Sequence, residues 1–240
     1  MKIVAAFLSL ILTLVAGADE YRDAVRRFTI TLPPGWFKVG DADIKEIDEL
    51  SARLKDRNFR YVAAFTKDLK NPLVPPFIVI QETNIRLKGN NYDGVEKMFN
   101  AVDTSKETRD AGTKISDIPS EINADGWIVD RARNRMTMNF SMTDARGEII
   151  KGVSTGYFGE EVIIQVNNYV PESQFAKYSP EFEAINDSFR FDRGAEFRPI
   201  APTTKVAERA GAIGQLLGIV LGLVIGIIVY RKFKLAPVQA

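Results

Sequence analysis

In RFTITL, Phe28, Ile30 and Leu32 fall on one side of an extended chain and the threonines on the other, the period of a half-buried strand. PPGW stops it, because proline cannot continue a ladder and Gly35 supplies a turn. The period then changes. In DADIKEIDELSARLKD, Ile44, Ile47, Leu50 and Leu54 recur at helical spacing behind Asp41 as N-cap, which predicts an amphipathic helix of about four turns. RYVAAFT and PFIVIQETNI read as strands separated by a proline-containing loop over 67–76, and NYDGVEKMFNAV as a second helix. Residues 103–125 are polar and without period, a mobile loop by pattern.

Strict alternation returns in MTMNFSM, with Met136, Met138, Phe140 and Met142 on one face. DARG turns, EIIKGVSTGYF runs back, GEE turns again and EVIIQVNNYV follows, which predicts an antiparallel meander. An amphipathic helix over about 171–186 carries Phe175, Tyr178, Phe182 and Ile185, and SFRF closes as a short strand. The expected fold class is therefore α+β: an antiparallel meander with helices on one or both faces. Within it, FTITLPPGW near the start and a closing helix running into INDSFRF resemble the PsbP-like fold family, over residues of about 25–192. That family comprises extrinsic photosystem subunits, a Ran-binding import factor and many bacterial envelope proteins. The resemblance implies a compact antiparallel sheet with flanking helices, serving as a non-catalytic accessory or assembly module. It transfers no functional residue, since the matching positions are structural.

The two ends carry a different pattern. Lys2 precedes an apolar stretch over 3–15, and Ala16 and Ala18 form an A-x-A site. That stretch rises only about 20 Å as a helix, short of a hydrocarbon core of roughly 30 Å. Residues 1–18 thus read as a secretory signal cleaved after Ala18, with an uncleaved anchor as the alternative. The run over 211–230 is long enough to span and has Gln215 as its one polar residue. Arg231, Lys232 and Lys234 follow it and hold the tail, 231–240, in the cytoplasm. The organisation expected is an exported domain over 19–192, a juxtamembrane tether over 193–210, one transmembrane helix and a cytoplasmic tail, in a cell (inner) membrane. The basic RKFK cluster argues against a GPI signal. Later processing of the C-terminal helix stays open.

Within the C-terminal run, Gly214, Gly218, Gly222 and Gly226 recur every fourth residue, and Ala210 extends the row. Each step advances 40° beyond a full turn, so the row winds slowly along one helix face. Glycine costs about 1 kcal/mol against alanine in a soluble helix. A side-chain-free groove offsets this by admitting a second helix closely, so a packing partner is expected, either another copy or a different membrane protein.

Composition narrows the chemistry. The chain of 240 residues has neither cysteine nor histidine, which removes disulfides, cysteine nucleophiles, Cys/His zinc sites and Ser-His-Asp triads. Four of the 32 basic residues lie at the two ends, leaving 28 against 31 acidic residues between them. That balance excludes a general nucleic-acid binder.

RARNR suggests a basic ridge of Arg131, Arg133 and Arg135 on one strand face, facing anionic lipid or an acidic partner; the alternative is an exposed face balanced by neighbouring acids. Asp41, Asp43, Glu46, Asp48 and Glu49 lack the glycine and the twelfth-position glutamate of a calcium loop. Glu160 with Glu161, and the pairs Ser51 with Lys55 and Ser173 with Lys177, lack catalytic spacing. Trp36 and Trp127 read as core, and no cofactor or metal site is expected. The function expected is a membrane-anchored, non-catalytic envelope binding or assembly module. The alternatives are a carboxylate-dependent surface hydrolase and a binder of anionic lipid.

Overall fold

The computed structural model describes residues 18–51, 59–72, 74–87, 89–100, 122–143 and 147–200. The signal stretch up to residue 17, most of the polar loop, and everything from residue 201, including the glycine row and the basic tail, lie outside them. No helix among the described residues is long and apolar enough to cross a membrane.

Two antiparallel sheets form. The smaller joins β1 (Asp19–Asp23), β2 (Phe28–Leu32) and β11 (Arg190–Phe191) in the order β1-β2-β11. The larger contains β3 (Phe37–Lys38), β4 (Phe59–Thr66), β5 (Phe77–Thr83), β6 (Ile122–Ala124), β7 (Ile128–Asp130), β8 (Arg135–Thr143), β9 (Ile149–Phe158) and β10 (Ile163–Pro171). Its order is β3-β4-β5-β10-β9-β8-β6, with β7 also on β8. The helices are α1 (Asp41–Ser51), α2 (Tyr92–Asn100) and, after a 3₁₀ turn at Glu172–Gln174, α3 (Phe175–Ser188).

The expected meander is present as β8-β9-β10, but it does not stand alone: β10 pairs along β5, from Ile163 opposite Thr83 to Tyr169 opposite Phe77. This places β10 in the centre of the sheet with all nine residues buried. The second sheet was not legible in the pattern. DEYRD has no apolar alternation, yet it pairs with β2 and lays Tyr21 edge-on against Phe65, ring centroids 5.3 Å apart. SFRF closes the chain on β2, in this smaller sheet. Within the stretch expected to be irregular, Ile122–Ala124 pairs with β8.

Strand alternation puts a core on each side of the larger sheet. On one side Val79, Phe140 and Tyr169 pack with Ile44 and Ile47 of α1 and Val95 and Phe99 of α2. On the other, Ile78, Ile80 and Val166 meet Phe28 and Ile30 of the smaller sheet and Phe182 and Ile185 of α3. Packing continues past Asp192, where a tether was expected to begin. Phe197 is buried against Phe158, its N–H bonds to the Phe158 carbonyl, and Ile200 N–H reaches the Asn90 carbonyl. Residues 193–200 are therefore part of the packed domain, and the expected boundary after Asp192 moves to Ile200 or beyond.

Candidate functional site

A cleft of about 340 Å³ opens where the turn joining β7 to β8 meets the C-terminal end of α3. The turn exists because Asn134 adopts φ 52°, a left-handed conformation that asparagine tolerates better than most residues. Its amide nitrogen donates to the Phe158 and Phe197 carbonyls, and its amide oxygen accepts from the Tyr92 hydroxyl. One side chain thus fixes the turn to β9, to the last described segment and to α2.

This conformation breaks the expected basic ridge. Residues 131–134 are a turn, and only Arg135 lies in a strand, so the three arginines do not share a strand face. Arg131 swings to α2, where its guanidinium donates to Asp93 at 2.8 Å and to Glu96 at 2.8 and 2.9 Å. These bonds, Glu96 first, hold its pKa above the usual arginine value. Arg133 and Arg135 do line the cleft, with Tyr157, Asn186, Asp187 and Phe189. Arg135 Nη1 donates to Asp187 Oδ1 at 2.7 Å, and its Nε lies 3.8 Å from Asp130. Burial opposes its charge, but the Asp187 bond and the nearby acids outweigh burial and raise its pKa. Arg133 sits 3.9 Å from Asp130 and 3.8 Å from Asp187. The Tyr157 hydroxyl donates to the Asn186 carbonyl at 2.6 Å, and burial pushes its pKa up. Two guanidiniums facing two carboxylates make a locally neutral site, joined by one short bond, Arg135 to Asp187, while Arg133 is held at ion-pair distance and the buried Arg135 Nε has no hydrogen-bond partner. The balanced-face alternative is the one that the geometry supports.

Elsewhere the chain orders its charges in the same way. Asp41 opens α1 and holds Lys38 at 2.7 Å, and Glu161 lies in the β9–β10 hairpin 3.4 Å from Arg86. Trp36 and Trp127 are core residues, as expected, and Trp36 also donates its indole N–H to Glu181 at 2.9 Å. Among the described residues no group of histidine, cysteine, aspartate and glutamate could hold a metal ion. Ala18 is exposed and immediately precedes β1. Ala16, Ala210, the four glycines, Arg231, Lys232 and Lys234 lie outside the described residues.

Three residues that pattern reading did not single out gather on one side of this end of the sheet. Val25, in the β1–β2 turn, is 81% exposed, the highest value among the exposed large hydrophobic residues. Beside it, Arg27 Nη2 donates to the Arg193 carbonyl at 2.7 Å. VRRF and DRG look like ordinary turn residues in the sequence, 166 positions apart, so no local signal joins them.

No protein-family model matches the chain, and no curated protein matches it. Among solved structures it is similar to cyanobacterial PsbP from Synechocystis sp. PCC 6803, at 11% identity and a TM-score of 0.41, covering 73% of this chain and 93% of that one. It is also similar to LpqN of Mycobacterium tuberculosis, described as involved in cell envelope biogenesis, at 10% identity and a TM-score of 0.36, covering 69% of this chain and 83% of that one. The first of these bears the name of the family that FTITLPPGW and INDSFRF resemble. Neither assigns a role to any residue.

Proposed function

We propose that the chain is a membrane-held, non-catalytic envelope module, whose exported α+β domain binds or assembles with a partner and whose C-terminal helix packs against another helix. The non-catalytic part is carried by packing, an apolar core closing each face of the larger sheet, and the electrostatics agree with it. Each described carboxylate with a shifted pKa is shifted down: Glu196 to about 2, chiefly by Arg198, Glu96 by Arg131, Asp68 by Asn71, and Glu82 by two arginines that outweigh its burial. A carboxyl acting as general acid needs the opposite, a pKa raised toward neutrality. The charge-balanced cleft supports the same reading.

The membrane part rests on the apolar run over 211–230 and the basic residues after it. Carbonate extraction of membranes expressing the full chain should leave it in the pellet. Gly218→Leu with Gly222→Leu should abolish self-association in a membrane reporter. Retained self-association would exclude packing through the glycine face between copies.

A further inference from the structure

We infer that the turn carrying Val25, with Arg27 and Arg193, is a lipid-contact surface that rests on the same bilayer as the chain's own C-terminal helix. This deepens the membrane-held reading and depends on it.

The turn is built to hold an apolar side chain in solvent. Asp23 Oδ1 accepts the N–H groups of Val25 and Arg26 at 2.9 and 2.8 Å. Arg26 is in turn pinned to Asp23 and to Glu82 of β5, and Arg27 closes the turn at φ 59°. A turn fixed by so many contacts does not collapse to hide Val25, which stays 81% exposed.

The charge beside it is unusual for this molecule. Every other described arginine is in an ion pair with a carboxylate. Arg27 and Arg193 are exposed and have no carboxylate partner among the described residues, and they adjoin each other. The nearest acids along the chain are engaged elsewhere, Asp192 with Arg22 at 3.0 Å and Glu196 with Arg198 at 2.8 Å. An exposed valine two residues from Arg27, whose guanidinium lies against the backbone of exposed Arg193, matches a phospholipid interface, where phosphate takes bidentate hydrogen bonds and the glycerol and acyl boundary takes the apolar group.

Chain geometry gives the occupant. The segment from Asp192 to Ile200 crosses this end of the sheet, bonded to Arg27 at one end and to Asn90 at the other. Residues 201–210 then separate it from the apolar run. Even fully extended, ten residues span no more than about 36 Å, so the start of the apolar run stays within that distance of this end of the domain. Such a tether gives a local concentration of roughly millimolar, at which a contact too weak to bind a free domain becomes populated.

The chain has no cysteine, so a single introduced thiol can be labelled uniquely. Full-length Val25→Cys carrying an environment-sensitive nitrobenzoxadiazole dye would be reconstituted in nanodiscs of phosphatidylcholine with phosphatidylglycerol. Leu69→Cys serves as the control, because Leu69 is 57% exposed at the opposite ends of β4 and β5. Failure of the full chain to float with lipid defeats the membrane-held reading and this inference with it. If it floats, doxyl-labelled lipid should quench the dye at position 25 several-fold more than at position 69, and equal quenching overturns the inference while leaving the anchor intact. Arg27→Asn with Arg193→Gln removes both charges, and asparagine keeps the left-handed turn. The double variant should shift the lipid-contact equilibrium by about thirtyfold on the anionic discs, and unchanged quenching there overturns the role given to the two arginines.

Discussion

Glu82 remains ionised inside the fold because two guanidiniums reach it from different strands' ends. Burial works against its charge, but hydrogen bonds from Arg60, at 2.7 and 3.0 Å, and from Arg26 outweigh it and lower its pKa below the ordinary 4.5. A group whose pKa is lower folded than unfolded stabilises the fold above the unfolded value, and that contribution is lost as pH falls through the folded value. Glu82→Gln should therefore cost on the order of 3 kcal/mol by urea unfolding at pH 7, since it leaves part-buried Arg26 with one partner fewer. The same variant should show a flatter loss of stability below pH 4.5 than the unaltered chain. Gly152 is constrained by space instead of charge. A Cβ there would lie 2.1 Å from the Phe140 ring and 2.3 Å from the Asn168 carbonyl, and the carbonyl belongs to the central strand and cannot move aside. Gly152→Ala should cost about 3 kcal/mol or more, whereas Gly126→Ala, with nothing within 4 Å, should change the urea midpoint little. Turns do not account for every glycine of the domain, because Gly152 and Gly156 are strand residues that make room for Phe140 and Met136.

Among the elements, α3 is held by a contact that joins three parts of the chain. Glu181 on the helix accepts from the Trp36 indole at 2.9 Å and from Lys67 at 2.6 Å, and the lysine Nζ lies 5.2 Å from the Trp36 ring centroid and 5.3 Å from that of Tyr178. Trp36→Ala should destabilise by about 3–5 kcal/mol, a large buried aromatic being lost. Trp36→Phe keeps the apolar bulk and loses the donor, so about 1 kcal/mol is expected in the same urea titration. Element type was legible where burial is one-sided. In β8, Met136, Met138, Phe140 and Met142 are buried and the residues between them are partly exposed, as the alternation implies. β10 has the same kind of alternation, with Gln165 and Asn167 among its polar positions, yet it is buried on both faces. Its polar side chains bond with Ser154 of β9: Gln165 Nε2 donates to Ser154 Oγ at 2.9 Å, and that hydroxyl donates to Asn167 at 2.7 Å. A polar residue in a strand looks solvent-facing until the neighbouring strand supplies a partner for it.

For the whole molecule, the described fold begins where the signal is expected to end. Asp19 is the first residue of β1 and pairs with Leu32, while Ala18 before it is exposed and outside any strand. Cleavage after Ala18 would leave β1 and every later described element intact. Mass spectrometry of protein recovered from the envelope of an expressing host should place the new N-terminus at Asp19. Ala16→Leu with Ala18→Leu should yield the uncleaved chain. Local pattern was sufficient for the α+β class, for most helices and longer strands, and for the expectation of a signal and an anchor, because those features depend on period, length and charge within about twenty residues. It could not pair β10 with β5, place β1 over Phe65, pack Phe197 into the core, or bring Arg27 to Arg193 while Arg131, Arg133 and Arg135 found carboxylates. Each of these is a contact between distant segments, fixed by which buried faces and which opposite charges meet when the chain closes. Neighbours along the chain carry no record of that meeting.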